Sequence, residues 1–264
     1  MIKRPSGSTP YEALATAYDI SGQSRFSLKM VGYLLELLAL HRIRPITIVD
    51  LACGTGAAAV SLARRKFTVT GVDGSQAMLD RARCRAQRWH AEVQWLSGDL
   101  VHLSETHWQS PDPQFDLAMC VYDSLNHLTD PSDFQGAVLA VSSLLKPGGH
   151  FFFDVNTPYA YEKAWGETQD TYVGAHHARY WRSRFDSETR LATLDTTYFV
   201  QNGSDANTWQ RIDTRQHARG YDDQAVSDAL QKAGFLTLVS YEALTFAPLT
   251  PHTYRAAYLV QKSE

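Results

Sequence analysis

The eight residues VDLACGTG, at positions 49–56, constrain the fold of this chain more than any other segment. A β-branched apolar run at 46–51 predicts a buried strand, and Asp50 lies near its end. Gly54 and Gly56 follow, and glycine gives the backbone the freedom to turn sharply toward a helix. The segment therefore predicts a nucleotide-binding turn with a carboxylate beside it.

The carboxylate indicates which nucleotide fits this turn. Gly54, Gly56 and Ala59 also satisfy the loose GxGxxG/A fingerprint of dinucleotide-binding folds, in which a helix N-terminus holds a pyrophosphate. Asp50 would bring a like charge close to that pyrophosphate, whereas it would attract the ammonium group and the methylated S⁺ of S-adenosylmethionine. The acid therefore favours S-adenosylmethionine over NAD.

Two further acids follow the next predicted strands. The segment FTVTGVD predicts a strand that ends at Asp73, about 20 residues beyond the glycines, where a carboxylate usually binds ribose hydroxyls. A short apolar strand at 93–96 runs into Ser97-Gly98-Asp99-Leu100. We expect Asp99 to accept a hydrogen bond from the exocyclic amine of the adenine.

Together these segments resemble the motifs of the class I S-adenosylmethionine-dependent methyltransferases of the small-molecule type, and the resemblance covers most of the chain. VDLACGTG is similar to their first motif, GVDGSQAML to the ribose-binding second and SGDL to the adenine-binding third. FDLAMCVYDSLNHL and LLKPGGHFFFDVN resemble the fourth and fifth motifs. One departure is Cys53, where many relatives carry glycine. The resemblance implies a methyltransferase with S-adenosyl-L-methionine as methyl donor and S-adenosyl-L-homocysteine as product.

The resemblance also implies a cofactor site. Relatives often carry a Tyr-Asp pair, here Tyr18-Asp19, that reaches the methionyl end of the cofactor. Arg25 would pair with the cofactor carboxylate or remain a solvated arginine. The residues expected to bind the cofactor are Tyr18, Arg25, Asp50, Ala52, Gly54, Gly56, Asp73, Gly74, Met78, Gly98, Asp99, Leu100, Cys120 and Tyr122.

Strands and helices alternate along the chain. Strands are predicted near 46–51, 67–72, 93–97, 115–121 and 149–155, with helices near 57–65, 75–88 and 132–145. A helix at 222–233 and strands near 235–242 and 254–261 follow. This alternation predicts an α/β fold with a parallel sheet wound on both faces, and the final strand pair would complete a Rossmann-like seven-stranded methyltransferase sheet.

Two segments stand apart from this core, which would comprise 46–170 and 222–264. Residues 1–45 predict an N-terminal helical lid, with helices at 11–19 and 26–42. From 171 to 221 the apolar period changes to two, which predicts a small antiparallel β insertion of three strands with a turn at Asn202-Gly203. This cap would cover the substrate pocket. Its arginines either bind an acidic or aromatic small substrate or form a solvated face or a dimer contact. They are Arg182, Arg184, Arg211, Arg215 and Arg219.

Methyl transfer demands little of the protein, because the sulfonium is already activated and positioning with exclusion of water supplies much of the acceleration. An amine acceptor needs no strong base, whereas a hydroxyl acceptor can give its proton to a nearby His or Tyr. The candidate catalytic residues are His127, Tyr18 and Tyr159, and a structural role for His127 stays open. The chain contains no HExxH motif and no acid cluster with metal spacing, so no catalytic metal is expected.

Composition restricts the partners. The net charge of −3 gives no bulk attraction to nucleic acid, and the apolar run at 31–40 is too short to span a bilayer. Three cysteines without CxxC spacing and a polar start without a cleavable leader predict a cytoplasmic protein. We expect a monomer or homodimer that acts on N or O of a small-molecule acceptor, without nucleic acid or membrane partners. The alternatives are a non-catalytic S-adenosylmethionine-binding protein, a nucleic-acid methyltransferase and an NAD-dependent oxidoreductase.

Overall fold

The computed structural model describes residues 10–106, 108, 114–202 and 205–263. Its main sheet has seven strands in the order β3-β2-β1-β4-β5-β11-β10. All neighbours pair in parallel except β11, which is antiparallel to both β5 and β10. These strands are β1 Thr47–Leu51, β2 Thr68–Asp73, β3 Val93–Ser97, β4 Phe115–Cys120, β5 Leu145–Asn156, β10 Phe235–Glu242 and β11 Arg255–Lys262.

Helices follow the strands as the alternation predicts, and side-chain caps mark several of their starts. Ser75 accepts from the N–H of Met78 at the start of α4, and Asp130 and Asp222 cap α5 and α7 in the same way. The helices are α1 Pro10–Tyr18, α2 Ser24–Leu40, α3 Ala57–Ala63, α4 Gln76–Arg88, α5 Pro131–Leu144, α6 Pro158–Ala164 and α7 Asp223–Lys232.

A second, antiparallel sheet is inserted between β5 and α7. Its strands are β6 Thr168–Val173, β7 His177–Asp186, β8 Leu191–Asn202 and β9 Asp205–Arg219, paired in that order. The predicted α/β fold with N-terminal helices and an antiparallel insertion is thus confirmed, but the count of three inserted strands was wrong, because there are four. Of the predicted turn, Gly203 lies outside the described residues.

The missed strand β6 has a physical explanation. It pairs only with β7, at the edge of the sheet, and five of its six residues are exposed. An edge strand of this kind has no buried face, so its sequence TQDTYV lacks the apolar alternation that identifies a half-buried strand.

The core lies on both faces of the main sheet. One face is covered by α5 and α7, which pack on Phe151 and Phe153, and the other by α2 and α3, which pack on Ile48 and Phe152. A smaller cluster joins Leu14 and Ala17 of α1 to the buried face of the inserted sheet, at Tyr198, Val200 and Ile212. The inserted sheet therefore holds α1 in place. None of the helices among the described residues is long and apolar enough to cross a membrane.

Candidate active site

The loop between β1 and α3 adopts left-handed backbone conformations at three positions, with φ of 54° at Ala52, 55° at Gly54 and 72° at Gly56. At Gly56 the chain also runs close to its neighbours, because an added Cβ would lie 2.6 Å from Trp95 and 2.8 Å from Ala82. Glycine is therefore required at this position by both conformation and space. The predicted tight turn after the first strand is the shape that these residues adopt.

Asp50 is a buried carboxylate near the end of β1. Its side chain is 1% exposed, and its Oδ2 atom has no hydrogen-bond partner among the described residues. Burial raises its pKa to about 8, and Asp73 adds to the rise. Asp50 lines a small cavity of about 20 Å³ together with Tyr18, Ala52 and Tyr122. An unpartnered carboxylate oxygen in such a place fits a cationic ligand group.

Asp73, at the end of β2, accepts from the N–H of Gly54 at 2.7 Å and from the N–H of Ser75 at 2.9 Å. The carboxylate thus joins the loop after β1 to the loop after β2. Burial raises its pKa, and the two backbone donors oppose the rise. Each carboxylate oxygen keeps acceptor capacity, so Asp73 can still bind hydroxyl donors of a ligand.

Residues of the third predicted motif lie at the rim of this region. Asp99 is exposed and accepts from the N–H groups of Val101 at 2.8 Å and His102 at 2.9 Å. Gly74 lies beside it, since a Cβ at Gly74 would be 3.3 Å from the Asp99 Cβ. Leu100 packs against the main core. Asp99 therefore closes its own turn in addition to any contact with a ligand.

Helix α1 lies across the loop after β1. Tyr18 approaches Gly54, where an added Cβ would be 3.9 Å from its ring. Asp19 accepts from the Thr55 hydroxyl at 2.8 Å and pairs with Arg85 at 2.6 Å. Burial raises the pKa of Tyr18 well above its usual value, so its hydroxyl stays protonated. The Tyr-Asp pair therefore places one residue over the turn and uses the other to hold α1 there.

After β4 the chain continues through two consecutive left-handed residues, Tyr122 with φ of 66° and Asp123 with φ of 50°. Their N–H groups donate to Asp154 of β5 at 2.7 and 3.1 Å. Arg255 of β11 pairs with Asp154 and, at 2.9 Å, with Asp123, and its guanidinium lies 4.6 Å from the centre of the Phe26 ring. This buried network holds an unfavourable backbone conformation and directs Tyr122 into the cavity.

His127 forms a pair with Tyr11 of α1. Its Nδ1 lies 3.0 Å from the carbonyl oxygen of His217, which can only accept, so in the neutral ring Nδ1 carries the hydrogen. Nε2 is then a free acceptor for the Tyr11 hydroxyl, 2.8 Å away. Burial raises the pKa of Tyr11, with further contributions from Asp123 and Asp73. His127 is therefore oriented with its basic nitrogen toward α1.

Several predicted site residues lie elsewhere. Arg25 is exposed at the start of α2, against Gly22. The Tyr159 ring packs against His252 and Tyr254 in tilted and edge-on contacts, with ring centres 5.1 Å apart in both cases, and does not line the cavity. Cys120 is buried in the main core, and Met78 is buried in the cluster below α1.

Three residues of this region were not predicted from the sequence: Tyr11, Asp154 and Arg255. The sequence contains a signal for Tyr11, because it precedes Tyr18 by seven residues and so lies on the same face of a helix. It contains none for Arg255, because the partner Asp154 is 101 residues away in the chain. Among the described residues, no three His, Cys, Asp or Glu side chains lie close enough together to hold a metal ion.

Comparisons with known proteins identify this arrangement. A family model described as a methyltransferase domain matches residues 48–149, which contain the loop after β1, Asp73, Asp99 and His127. The putative methyltransferase YqeM of Bacillus subtilis (strain 168) is 28% identical over 188 residues, covering 71% of this chain and 72% of that protein. A ubiquinone biosynthesis O-methyltransferase of Alkalilimnicola ehrlichii is 39% identical over 106 residues, covering 40% of each chain.

Solved structures agree over nearly the whole chain. An S-adenosylmethionine-dependent methyltransferase from Clostridium acetobutylicum ATCC 824 superimposes with a TM-score of 0.80 at 25% identity, covering 89% of this chain and 92% of that one. The S-adenosylmethionine-bound amino pentose methyltransferase CalS10 from Micromonospora echinaspora shares the fold, with a TM-score of 0.70 at 20% identity, covering 94% and 97%. This chain belongs to the S-adenosylmethionine-dependent methyltransferases, and S-adenosylmethionine is its methyl donor.

Proposed function

We propose that this methyltransferase modifies a nitrogen or oxygen atom of a small-molecule acceptor. The observation that carries the proposal is that two layers of structure, α1 and the inserted sheet, cover the loop after β1. Helix α1 lies on that loop, and the inserted sheet packs on α1 through Tyr198, Val200 and Ile212. An enclosed site admits a small molecule more readily than a nucleic acid, and the net charge of −3 gives no attraction to a polyanion.

The proposed cofactor contacts follow from the donors and acceptors at this loop. Asp50 offers its unpartnered oxygen to the ammonium group, and Asp73 accepts from the ribose hydroxyls. Gly54 and Gly56 allow close approach of the backbone, and Asp99 accepts from the adenine amine at the rim. When bound, S-adenosylmethionine supplies a methyl group on a positively charged sulfur. Arg25, Cys120 and Met78 have weaker support, because Arg25 is exposed at the start of α2 and the other two are buried in core clusters.

The residues that would act on the methyl acceptor are Tyr11, Tyr18 and His127. Tyr11 donates to Nε2 of His127, so an acceptor hydroxyl that donates to the Tyr11 oxygen can pass its proton through Tyr11 to His127. An amine acceptor attacks through its lone pair and needs only to be positioned. Tyr18 excludes water from the same region. Tyr159 has less support, since its ring packs on His252 and Tyr254.

The relatives carry both kinds of acceptor in their names. They include ubiquinone biosynthesis O-methyltransferases, and the structural neighbours include a sugar N-methyltransferase, KedS8. Because the neighbours of known acceptor share only the fold with this chain, the choice between nitrogen and oxygen rests on experiment.

The test is a methyl-transfer assay with the purified enzyme. We expect label from methyl-labelled S-adenosylmethionine to enter the small-molecule fraction of a bacterial extract and not its RNA or DNA. His127→Asn keeps a donor for the His217 carbonyl but removes the base. It should lower kcat about 100-fold or more on a hydroxyl acceptor, and far less on an amine, with unchanged cofactor affinity.

Two results would contradict the proposal. Label in nucleic acid would favour a nucleic-acid methyltransferase. Cofactor binding without transfer to any metabolite pool would favour a non-catalytic binding protein.

The same proposal includes the organisation of the chain. Residues 1–45 act as a lid, 46–170 and 222–264 as the cofactor-binding core, and 171–221 as a cap over the acceptor. The three cysteines are free, which suits a cytoplasmic enzyme, and we propose that it works as a monomer or homodimer.

A further inference from the structure

A second concave site lies at the opposite edge of the main sheet. The parallel strands β1 and β4 carry the candidate active site at their carboxyl ends, whereas this groove is formed where those strands begin. Its volume is about 500 Å³. We call it the basal groove, and it is lined by His41, Arg42, Ile43, Arg44, Pro45, Asp116, Lys146, Pro147, Gly148, Gly149, His150, Leu238 and Gln261.

The basal groove is positively charged in a chain whose net charge is negative. Arg42 and Arg44 are exposed there and form no ion pair with any described residue. Lys146 pairs with Asp116 at 2.8 Å. Asp116 is the one carboxylate in this lining, as far as the described residues go, so two guanidinium charges remain uncompensated.

Asp116 cannot neutralise the arginines as well. Its Oδ2 accepts from the N–H groups of Ile46 and Thr47, both at 2.8 Å, and from the Thr47 hydroxyl at 3.0 Å. These donors and Lys146 together hold its pKa at about 2, below its usual value. The carboxylate is therefore charged at neutral pH and is held by the start of β1 and by Lys146.

Two histidines complete the basal groove. Nε2 of His41 is buried and has no hydrogen-bond partner within the described part of the chain. His150 lines the groove as well. Its pKa is lowered by burial and, to a smaller extent, by the neighbouring His41. An unpaired polar nitrogen in a native interior is uncommon and calls for a partner.

We propose that the basal groove binds a phosphate-bearing small molecule. Guanidinium groups match the geometry of phosphate oxygens and bind them with charge-assisted hydrogen bonds. A volume of about 500 Å³ is in the range of small-molecule sites and accommodates a ligand of nucleotide size. His41 and His150 line the same groove beside these arginines.

The experiment is calorimetric titration of the full-length enzyme with pyrophosphate, at constant ionic strength and neutral pH. We expect saturable binding at one site per chain. Arg42→Gln and Arg44→Gln should each weaken it about tenfold, the effect of losing one charge-assisted hydrogen bond. His41→Leu keeps the apolar bulk but removes the ring nitrogens, and it should weaken binding as well.

Arg83→Gln is the matched control. Arg83 is a half-buried arginine of α4 that pairs with Asp80 at 2.8 Å and lies outside the basal groove, so the substitution removes the same charge from another surface. Binding of pyrophosphate should be unchanged in this variant. All four variants should bind S-adenosylmethionine as the parent does, which shows that each one is folded.

Three outcomes would overturn the proposal. The first is the absence of saturable binding. The second is an equal loss in Arg83→Gln and Arg44→Gln, which would mean that pyrophosphate responds to net charge alone. The third is displacement of pyrophosphate by a short RNA at much lower concentration, which would assign the basal groove to a macromolecule.

Discussion

At the scale of single residues, Asp50 carries a large electrostatic cost, because its carboxyl group is buried. Its pKa of about 8, raised by burial from 3.8, means that the folded chain binds this proton more tightly than the unfolded chain. Its contribution to the free energy of unfolding is therefore greatest below pH 4 and is lost as the pH rises through about 8. A carboxylate kept at such a cost is typical of a functional site.

We predict that cofactor binding releases this proton. In the free enzyme Asp50 is mostly protonated at pH 6 to 7, because its pKa is about 8, and a bound ammonium group favours the carboxylate. Affinity should therefore rise with pH, by up to about tenfold per unit, and level off near pH 8. Calorimetry in two buffers of different ionisation enthalpy measures the released protons.

Asp50→Asn is the control for this prediction. It keeps the shape of the side chain but has no proton to release, so the affinity should be lower and nearly independent of pH. The same proton release in Asp50→Asn as in the parent would show that another group titrates.

At the scale of secondary-structure elements, the sequence was informative wherever an element has one buried face. All seven main strands and the helices α3, α4, α5 and α7 were predicted within a few residues, because burial forces apolar periodicity on them. Strand β6 was missed because it lies exposed at a sheet edge. The short helix α6 was missed as well, although Thr157 and Pro158 are a typical cap and first residue.

The site was predictable to a similar extent. Asp50 and Asp73 lie at strand ends and belong to a local motif. The Arg255 network, formed by Arg255, Asp154 and Asp123, instead joins β11, β5 and the loop after β4, which are distant in sequence. Likewise, nothing near His127 in the chain reveals that it meets Tyr11, because this contact depends on how α1 packs. Local motifs therefore predicted the turn after β1, whereas the contacts around it depend on tertiary packing.

The Arg255 network should contribute strongly to the stability of the fold. Arg255→Met removes one partner of Asp154, whose side chain is 0% exposed, and leaves a buried carboxylate uncompensated. We expect the free energy of unfolding to fall by about 3–5 kcal/mol. Urea denaturation measures the loss, and because Asp154 also holds Tyr122 and Asp123, cofactor affinity should fall too.

Arg215→Met is the matched control. Arg215 also pairs with a carboxylate, Asp195, at 2.5 Å, but its side chain is 65% exposed on the inserted sheet. An exposed pair of this kind contributes at most about 1 kcal/mol. Equal losses in the two variants would mean that the Arg255 network has no special role.

At the scale of the whole molecule, the inserted sheet leaves and rejoins the core at two neighbouring points of the chain. The chain leaves β5 through Thr157 and returns at Gly220, and an added Cβ on Gly220 would lie only 2.8 Å from the Cα of Pro158. The N–H of Tyr221 donates to the carbonyl of Asn156 at 3.4 Å. If residues 158–219 are removed, the two remaining ends, Thr157 and Gly220, therefore lie close enough to be joined by a short Gly-Ser linker without moving β5.

We predict that the excised protein still folds but no longer works. The seven-stranded sheet keeps both of its core layers, so far-UV circular dichroism and cooperative unfolding should persist. Helix α1 loses the apolar cover of Tyr198, Val200 and Ile212, and His127 loses the carbonyl of His217. We expect at least a tenfold lower affinity for S-adenosylmethionine by calorimetry, and no methyl transfer.

Two neighbouring substitutions in β9 test the role of the inserted sheet without the excision. Ile212 packs against α1, whereas Arg211 points to the exposed face and pairs with Asp213. Ile212→Asn should lower cofactor affinity, because it places an amide without partners against the apolar side of α1, and Arg211→Asn should leave it unchanged. If the excised protein and Ile212→Asn both bind S-adenosylmethionine as tightly as the parent, then α1 closes over the site without help from the inserted sheet.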